Sequence, residues 1–157
     1  MNYTVGMWQK FSDEARKAMA VAEEEAAKGG KMVISTEHML VGLMKAEASA
    51  AAGVLAGLGV HLGAVEEEVA KLEPDPVGKK PRTKVILSRD AKRAIDATYQ
   101  EAMDMKDKII DTEHLLIGLV AQGGAATKIL ATLGANLEKV RKAVHELPKA
   151  VAPGLDE

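Results

Sequence analysis

Apolar side chains recur along this chain at the spacing of amphipathic helices, and the same pattern occurs twice. The first stripe follows the positions i, i+3, i+4, i+7 and i+11 and comprises Ala15, Ala18, Met19, Ala22 and Ala26. A matching stripe lies 76 positions later, at Ala91, Ala94, Ile95, Thr98 and Ala102. Because an α-helix completes a turn every 3.6 residues, each stripe occupies one face of a helix. The pattern therefore predicts two copies of one helical unit.

Three further helices are predicted in each copy. The second has the apolar faces Met39, Leu40, Leu43 and Met44 in copy one and Leu115, Leu116, Leu119 and Val120 in copy two. A short Ala-rich helix is expected over about 49–56 and 125–132. The fourth carries Leu62, Val65, Val69 and Leu72, matched by Leu137, Val140, Val144 and Leu147. We expect Ser12 and Ser88 to cap the first helices, and Thr36 and Thr112 the second helices, because a hydroxyl accepts from the free amides of a first turn.

The longest match compares Val-Ile-Ser-Thr-Glu-His-Met-Leu-Val-Gly-Leu with Ile-Ile-Asp-Thr-Glu-His-Leu-Leu-Ile-Gly-Leu, at residues 33–43 and 109–119. Two copies are too few for a solenoid. The prediction is an all-α, eight-helix globule with pseudo-two-fold symmetry, made of two four-helix repeats. We expect a single domain over 1–157, with repeat one at about 8–72, a linker at about 73–84, repeat two at about 85–147 and a tail at 148–157. The prolines of the linker prevent it from continuing a helix.

Composition and charge exclude several classes of function. The net charge is −2 and only 3% of residues are aromatic, with no basic stripe interleaved with aromatics, so nucleic acid is a poor partner. There is no cysteine, which fits a reducing compartment. No apolar run approaches the ~20 residues of a membrane span, and the first residues do not resemble a signal peptide. We expect a cytoplasmic protein with no membrane contact.

The Thr-Glu-His triplet, at 36–38 and 112–114, is the main candidate for chemistry. A zincin helix needs two histidines at i and i+4, whereas each copy has one His beside one Glu. No P-loop and no Gly-x-Ser-x-Gly element is present in the sequence. We therefore expect no enzyme activity, no metal and no cofactor.

The structural interpretation of the triplet is that Thr caps the helix, Glu favours the positive end of its dipole, and His lies under the turn with its nitrogens bonded. Glu37 and Glu113 remain open to a second role. Free amides at a helix start suit an anion, and a nearby carboxylate suits a cation. Together they suit a ligand with both charges, such as a phosphorylated guanidinium. Trp8, the one tryptophan, is either a lid on the core or an exposed recognition anchor.

These segments resemble the Clp N-terminal domain, or Clp repeat domain, of Hsp100 unfoldases of the ClpC, ClpA and ClpB types. The resemblance rests on Trp8 to Arg16, Ile34 to Leu43, Leu87 to Lys92 and Asp111 to Leu119, and extends over about 8–147. It implies an eight-helix fold with pseudo-two-fold symmetry. No ATPase module accompanies it in this sequence, so the chain is either an excised domain or a free-standing Clp-repeat protein.

The resemblance also implies a function. It implies a module that docks adaptors or protein substrates, with Clp ATPase or protease components and arginine-phosphorylated clients among its partners. In ClpC-type relatives the domain can recognise phosphoarginine through the Glu of each Thr-Glu-His motif, which points to Glu37 and Glu113 with Thr36 and Thr112 beside them. An apolar patch of the family domain falls on Trp8, Leu87 and Lys92. The alternative is a protein that binds and sequesters phosphoarginine or another small ligand without Clp contact.

One departure from the family distinguishes the two repeats. The family often has Gly before Thr-Glu-His, whereas this chain has Ser35 and Asp111. An aspartate at a helix start already satisfies the dipole and repels phosphate. The sequence therefore favours the first anion site over the second.

Overall fold

The computed structural model describes residues 9–28, 33–72 and 86–148. Within these ranges the chain forms eight α-helices and two very short strands. The helices are α1 (Asp13–Lys28), α2 (Thr36–Lys45), α3 (Ala50–Gly57), α4 (Leu62–Ala70), α5 (Arg89–Asp104), α6 (Thr112–Gln122), α7 (Ala125–Thr132) and α8 (Leu137–His145). The all-α prediction with four helices per repeat is confirmed. The predicted linker lies outside the described residues, as does the predicted tail apart from Pro148.

The helix starts follow the predicted caps in the first helix of each repeat but not in the second. The Oγ of Ser12 accepts from the amide of Ala15, and that of Ser88 from the amide of Ala91, both at 3.0 Å. The assignment of Thr36 and Thr112 as caps was wrong. Ser35 and Asp111 have the extended backbone of an N-cap, and each threonine is the first helical residue.

One hydrophobic core takes residues from both repeats. α2 and α6 lie at its centre, where six consecutive residues of α6 are buried, Leu115 to Val120. α1 packs on α2, and α5 packs on α6. The angle between the second and third helices is also alike in the two repeats, since α2 meets α3 at 92° and α6 meets α7 at 94°. The internal duplication of the sequence is thus also a duplication of geometry.

Two short parallel pairings join the repeats, and the sequence did not predict them. Strand β1 (Val33–Ile34) pairs with β2 (Ile86–Leu87), and a parallel bridge joins Phe11 to Ile110. The two pairings are equivalent under the internal repeat. In each, the segment before the first helix of one repeat pairs with the segment before the second helix of the other. The amide of Ser88 donates to the carbonyl of Ile34 at 2.9 Å, and that of Ser12 to the carbonyl of Ile110 at 2.8 Å.

In the described ranges, no single helix is both long and apolar enough to cross a membrane. The pairs α2–α3 and α6–α7 reach that length and apolarity only when their two bent helices are taken together.

Candidate functional site

Both histidines of the Thr-Glu-His motifs close the first turn of their helix. The amide of Ser35 donates to Nδ1 of His38, and the amide of Asp111 donates to Nδ1 of His114, each at 2.9 Å. The imidazole thus takes the place that Glu or Gln has in a capping box, three residues after the cap. These bonds agree with the predicted structural role of the histidines.

Thr36 and Thr112 are buried, with 1% and 0% of their surface exposed, and each bonds to the opposite repeat. The hydroxyl of Thr36 donates to the carbonyl of Gly123 and accepts from the amide of Ala126 at 3.2 Å. The hydroxyl of Thr112 accepts from the amide of Ala51 at 3.1 Å. The interior location corrects the prediction that these threonines contact a ligand. They instead hold the start of the third helix of the other repeat.

Glu37 and Glu113 follow the threonines, and both are partly exposed. Their environments differ. The Oε1 of Glu113 is fully buried without a hydrogen-bond partner among the described residues. This burial raises the pKa of Glu113 above its ordinary value, and the charges of Asp111 and Asp107 raise it further, against a backbone hydrogen bond and His114. The ionised form of Glu113 is therefore disfavoured in the folded protein.

A hydrogen-bonded acidic network surrounds the start of α6. The Nε2 of His114 lies 2.9 Å from Oδ2 of Asp107, and because Nδ1 accepts a backbone proton, Nε2 is the donor in this contact. The hydroxyl of Ser12 donates to Oδ1 of Asp111 at 2.6 Å. Asp107 was not predicted from the sequence as part of this site. Its signal in the sequence is the 76-residue register, in which Asp107 corresponds to Lys31 of repeat one, a residue of opposite charge.

The electrostatics of the two helix starts differ accordingly. Asp107, Asp111 and Glu113 place three carboxylates at the start of α6, which disfavours a phosphate there. At α2 the cap is the uncharged Ser35, and Glu37 is the acidic residue of the first turn. The start of α2 thus carries fewer carboxylates than the start of α6, and the preference of an anion for the first site stays a prediction. In the part of the chain that the structure describes, no group of three or more His, Asp or Glu side chains could hold a metal ion.

The predicted apolar patch is not assembled by the described residues. Trp8 lies outside them. Leu87 belongs to β2 and is only 5% exposed, because it pairs with Ile34 and faces the core, so its prediction as a surface contact was wrong. Lys92 is exposed on α5 and remains available to a partner.

Comparison with known proteins assigns this arrangement to a family. The model of the Clp repeat (R) N-terminal domain matches residues 10–126 and 109–153. The chain belongs to this family. It is 36% identical over 142 residues to the chaperone protein ClpB of Oceanobacillus iheyensis, and the match covers 90% of the chain but 17% of that relative. The chain thus spans about a sixth of the relative's length.

Solved structures agree with this Clp repeat fold. The N-terminal domain of the chaperone ClpD from Arabidopsis thaliana is similar with a TM-score of 0.71 and 25% identity, covering 88% of this chain and 96% of the other. A complex of the ClpV N-domain with VipB peptide is similar with a TM-score of 0.71 and 14% identity, covering 93% and 92%. The second likeness, at this identity, is one of fold.

Proposed function

We propose that this chain is a protein-interaction module that docks adaptors or protein substrates for a Clp chaperone–protease system. The observation that carries the proposal is its membership of the Clp repeat N-terminal domain family over nearly all of the described residues. The solved complex of a ClpV N-domain with a peptide supports it, since a domain of this fold holds a peptide there. The module acts in the cytoplasm and catalyses no reaction itself.

The docking surface that we propose includes the start of α2. Glu37 is partly exposed beside the backbone amides of the first turn, while Thr36 and the ring of His38 hold that turn in place. A carboxylate next to helix amides suits an arginine side chain, and best a phosphorylated one, because the guanidinium meets Glu37 and the phosphate meets the amides. Glu113 belongs to the same proposal but is disfavoured for phosphate by Asp107 and Asp111.

The test is binding to purified components. The immobilised chain is offered a Clp ATPase from the same organism, its protease subunit, and an arginine-phosphorylated unfolded client such as casein. We expect the chain to retain at least one of them, and Glu37→Gln to weaken client binding by about tenfold or more. Asp96→Asn, an exposed acidic residue in the middle of α5, is the matched control. Retention of none of these proteins would sink the proposal.

The second candidate is a protein that binds phosphoarginine or another small ligand without Clp contact. The partly exposed Glu37 is the observation that favours it, since the same site accepts a free ligand as well as a side chain. Calorimetry with free phosphoarginine separates the candidates. Binding that is lost in Glu37→Gln, with no retention of any Clp component, would favour sequestration. Absence of any binding would remove phosphoarginine from both candidates.

A further inference from the structure

The turn between α5 and α6 exposes large apolar side chains. Met103 is 69% exposed and Ile109 is 56% exposed, and they are the exposed large hydrophobic residues of the described ranges. They lie on either side of the turn at 105–108. The 76-residue register places Ala27 and Val33 at the equivalent positions of repeat one. Repeat two thus presents an apolar pair where repeat one has smaller side chains. We call this surface the turn patch.

The backbone of the turn patch is held at three points. The amide of Lys106 donates to the carbonyl of Met103 at 3.0 Å, and the amide of Asp107 to the carbonyl of Ala102 at 2.9 Å. The contact between Asp107 and His114 then ties the turn to α6. A partner that covers this surface would meet a backbone that is already ordered, so little conformational entropy is lost on binding.

The charges at the margin of the turn patch indicate what would cover it. Four carboxylates lie close to it in the chain, on Asp104, Asp107, Asp111 and Glu113. Three exposed ammonium groups oppose them, on Lys106, on Lys108 and on Lys10, whose backbone carbonyl accepts from the amide of Ile110 at 2.7 Å. The excess is negative, and it is organised by the bonds of Asp107 and Asp111 described above. An apolar surface with a negative margin complements an apolar residue with a basic neighbour.

We propose that the turn patch docks a client segment in which a large apolar residue stands next to an unphosphorylated Arg or Lys. The apolar side chain covers Met103 and Ile109, and the cation lies towards the carboxylates. This inference rests on the proposed docking function and gives repeat two a ligand class different from that of the α2 start. Two surfaces of one domain would then recognise different features of a client.

The probe is a set of three fluorescein-labelled peptides that differ only in a repeated dipeptide, Arg-Leu, Glu-Leu or Arg-Ser. Fluorescence anisotropy against the whole chain measures the affinity of each. We expect the Arg-Leu peptide to bind about tenfold tighter than the other two, and its advantage over Glu-Leu to shrink as salt screens the charges. Equal affinity for the three peptides would overturn the proposal.

Variants locate the site. Met103→Ser with Ile109→Ser should weaken Arg-Leu binding about tenfold, whereas Ala27→Ser with Val33→Ser, the matched pair in repeat one, should not. Ile109→Lys provides a second variant if the first does not fold, and it should repel the basic peptide. Unchanged binding in folded variants would contradict the proposal. So would a wild-type dimer that Ile109→Lys converts to a monomer, since a second copy would then cover the patch.

Failure of the turn-patch inference can be distinguished from failure of the proposed docking function. A chain that retains a Clp component or the phosphorylated client but binds none of the peptides would overturn the turn-patch inference alone. A chain that binds none of these partners would overturn both.

Discussion

At the scale of single residues, equivalent positions of the two repeats have acquired different chemistry. His38 and His114 make the same bond to the amide three residues earlier. Glu37 and Glu113 also share a place on their helices, but Glu113 has a fully buried oxygen with acidic neighbours. The ionised form of Glu113 is therefore costly to the folded state. A residue type and a position do not define a site until the neighbours are known.

Glu113→Gln should stabilise the protein at neutral pH. The folded-state pKa of Glu113 is above its ordinary value of 4.5. Its favourable contribution is present below the unfolded-state pKa and is lost as the pH rises through the raised folded-state pKa. At pH 7 the amide removes this cost, for a gain on the order of 1 kcal/mol, and below about pH 4 the gain should vanish. Urea unfolding at the two pH values measures it.

Glu37→Gln is the matched control for this change. Among the described residues, Glu113 has the fully buried, unpartnered carboxylate oxygen, so the gain should be specific to it. A loss of stability in Glu113→Gln at pH 7 would show that the ionised carboxylate has a favourable partner.

At the scale of elements, two glycines allow the helix pairs of each repeat to approach closely. A Cβ at Gly42 would overlap the carbonyl of Ala18, and one at Gly118 would overlap Thr98. These glycines lie at equivalent places of α2 and α6, facing α1 and α5. The Gly of the repeated motif is thus a packing requirement of the helix pair.

Gly42→Ala and Gly118→Ala should each cost about 2–3 kcal/mol, because the added methyl group forces the helices apart. Gly53→Ala is the control, since a Cβ there meets no atom within 4 Å. That change should instead gain about 0.5–1 kcal/mol through helix propensity. Denaturant unfolding compares the three variants. A neutral Gly42→Ala would mean that the backbone of α1 shifts freely to make room.

At the end of α5, one residue has an unfavourable backbone conformation. Lys106 has a φ of 60°, in the left-handed region, where the register places Gly30 in repeat one. A side chain in this conformation is unfavourable by about 1 kcal/mol relative to glycine. Lys106→Gly should therefore stabilise the protein by about that amount in urea unfolding, while Lys106→Ala should give no gain. An equal gain in both would point to the charge of Lys106 instead.

At the scale of the whole molecule, equivalent contacts in both directions join the two repeats. Each repeat supplies a backbone pairing to the other, and each buried threonine bonds to the start of the other repeat's third helix. The start of a candidate docking helix is thereby tied to the opposite half of the molecule.

Thr112→Val tests the bond between Thr112 and the other repeat. Valine keeps the shape but removes the acceptor for the amide of Ala51, so unfolding should become easier by about 1–2 kcal/mol. Hydrogen exchange at Ala51, in the other repeat, should accelerate. Thr132→Val, at an exposed threonine, is the control. Unchanged exchange at Ala51 would show that the bond does not stabilise that helix start.

The sequence by itself determined the helices, their repetition and the caps at Ser12 and Ser88, because periodicity and capping depend on residues within a few positions of one another. The tertiary structure decided the pairing of Phe11 with Ile110, the burial of Thr36, Thr112 and Leu87, and the burial of a carboxylate oxygen of Glu113. Each depends on a partner far along the chain or on exclusion from water. Spacing along one helix contains no information about either, so these features emerged only when the two repeats packed together.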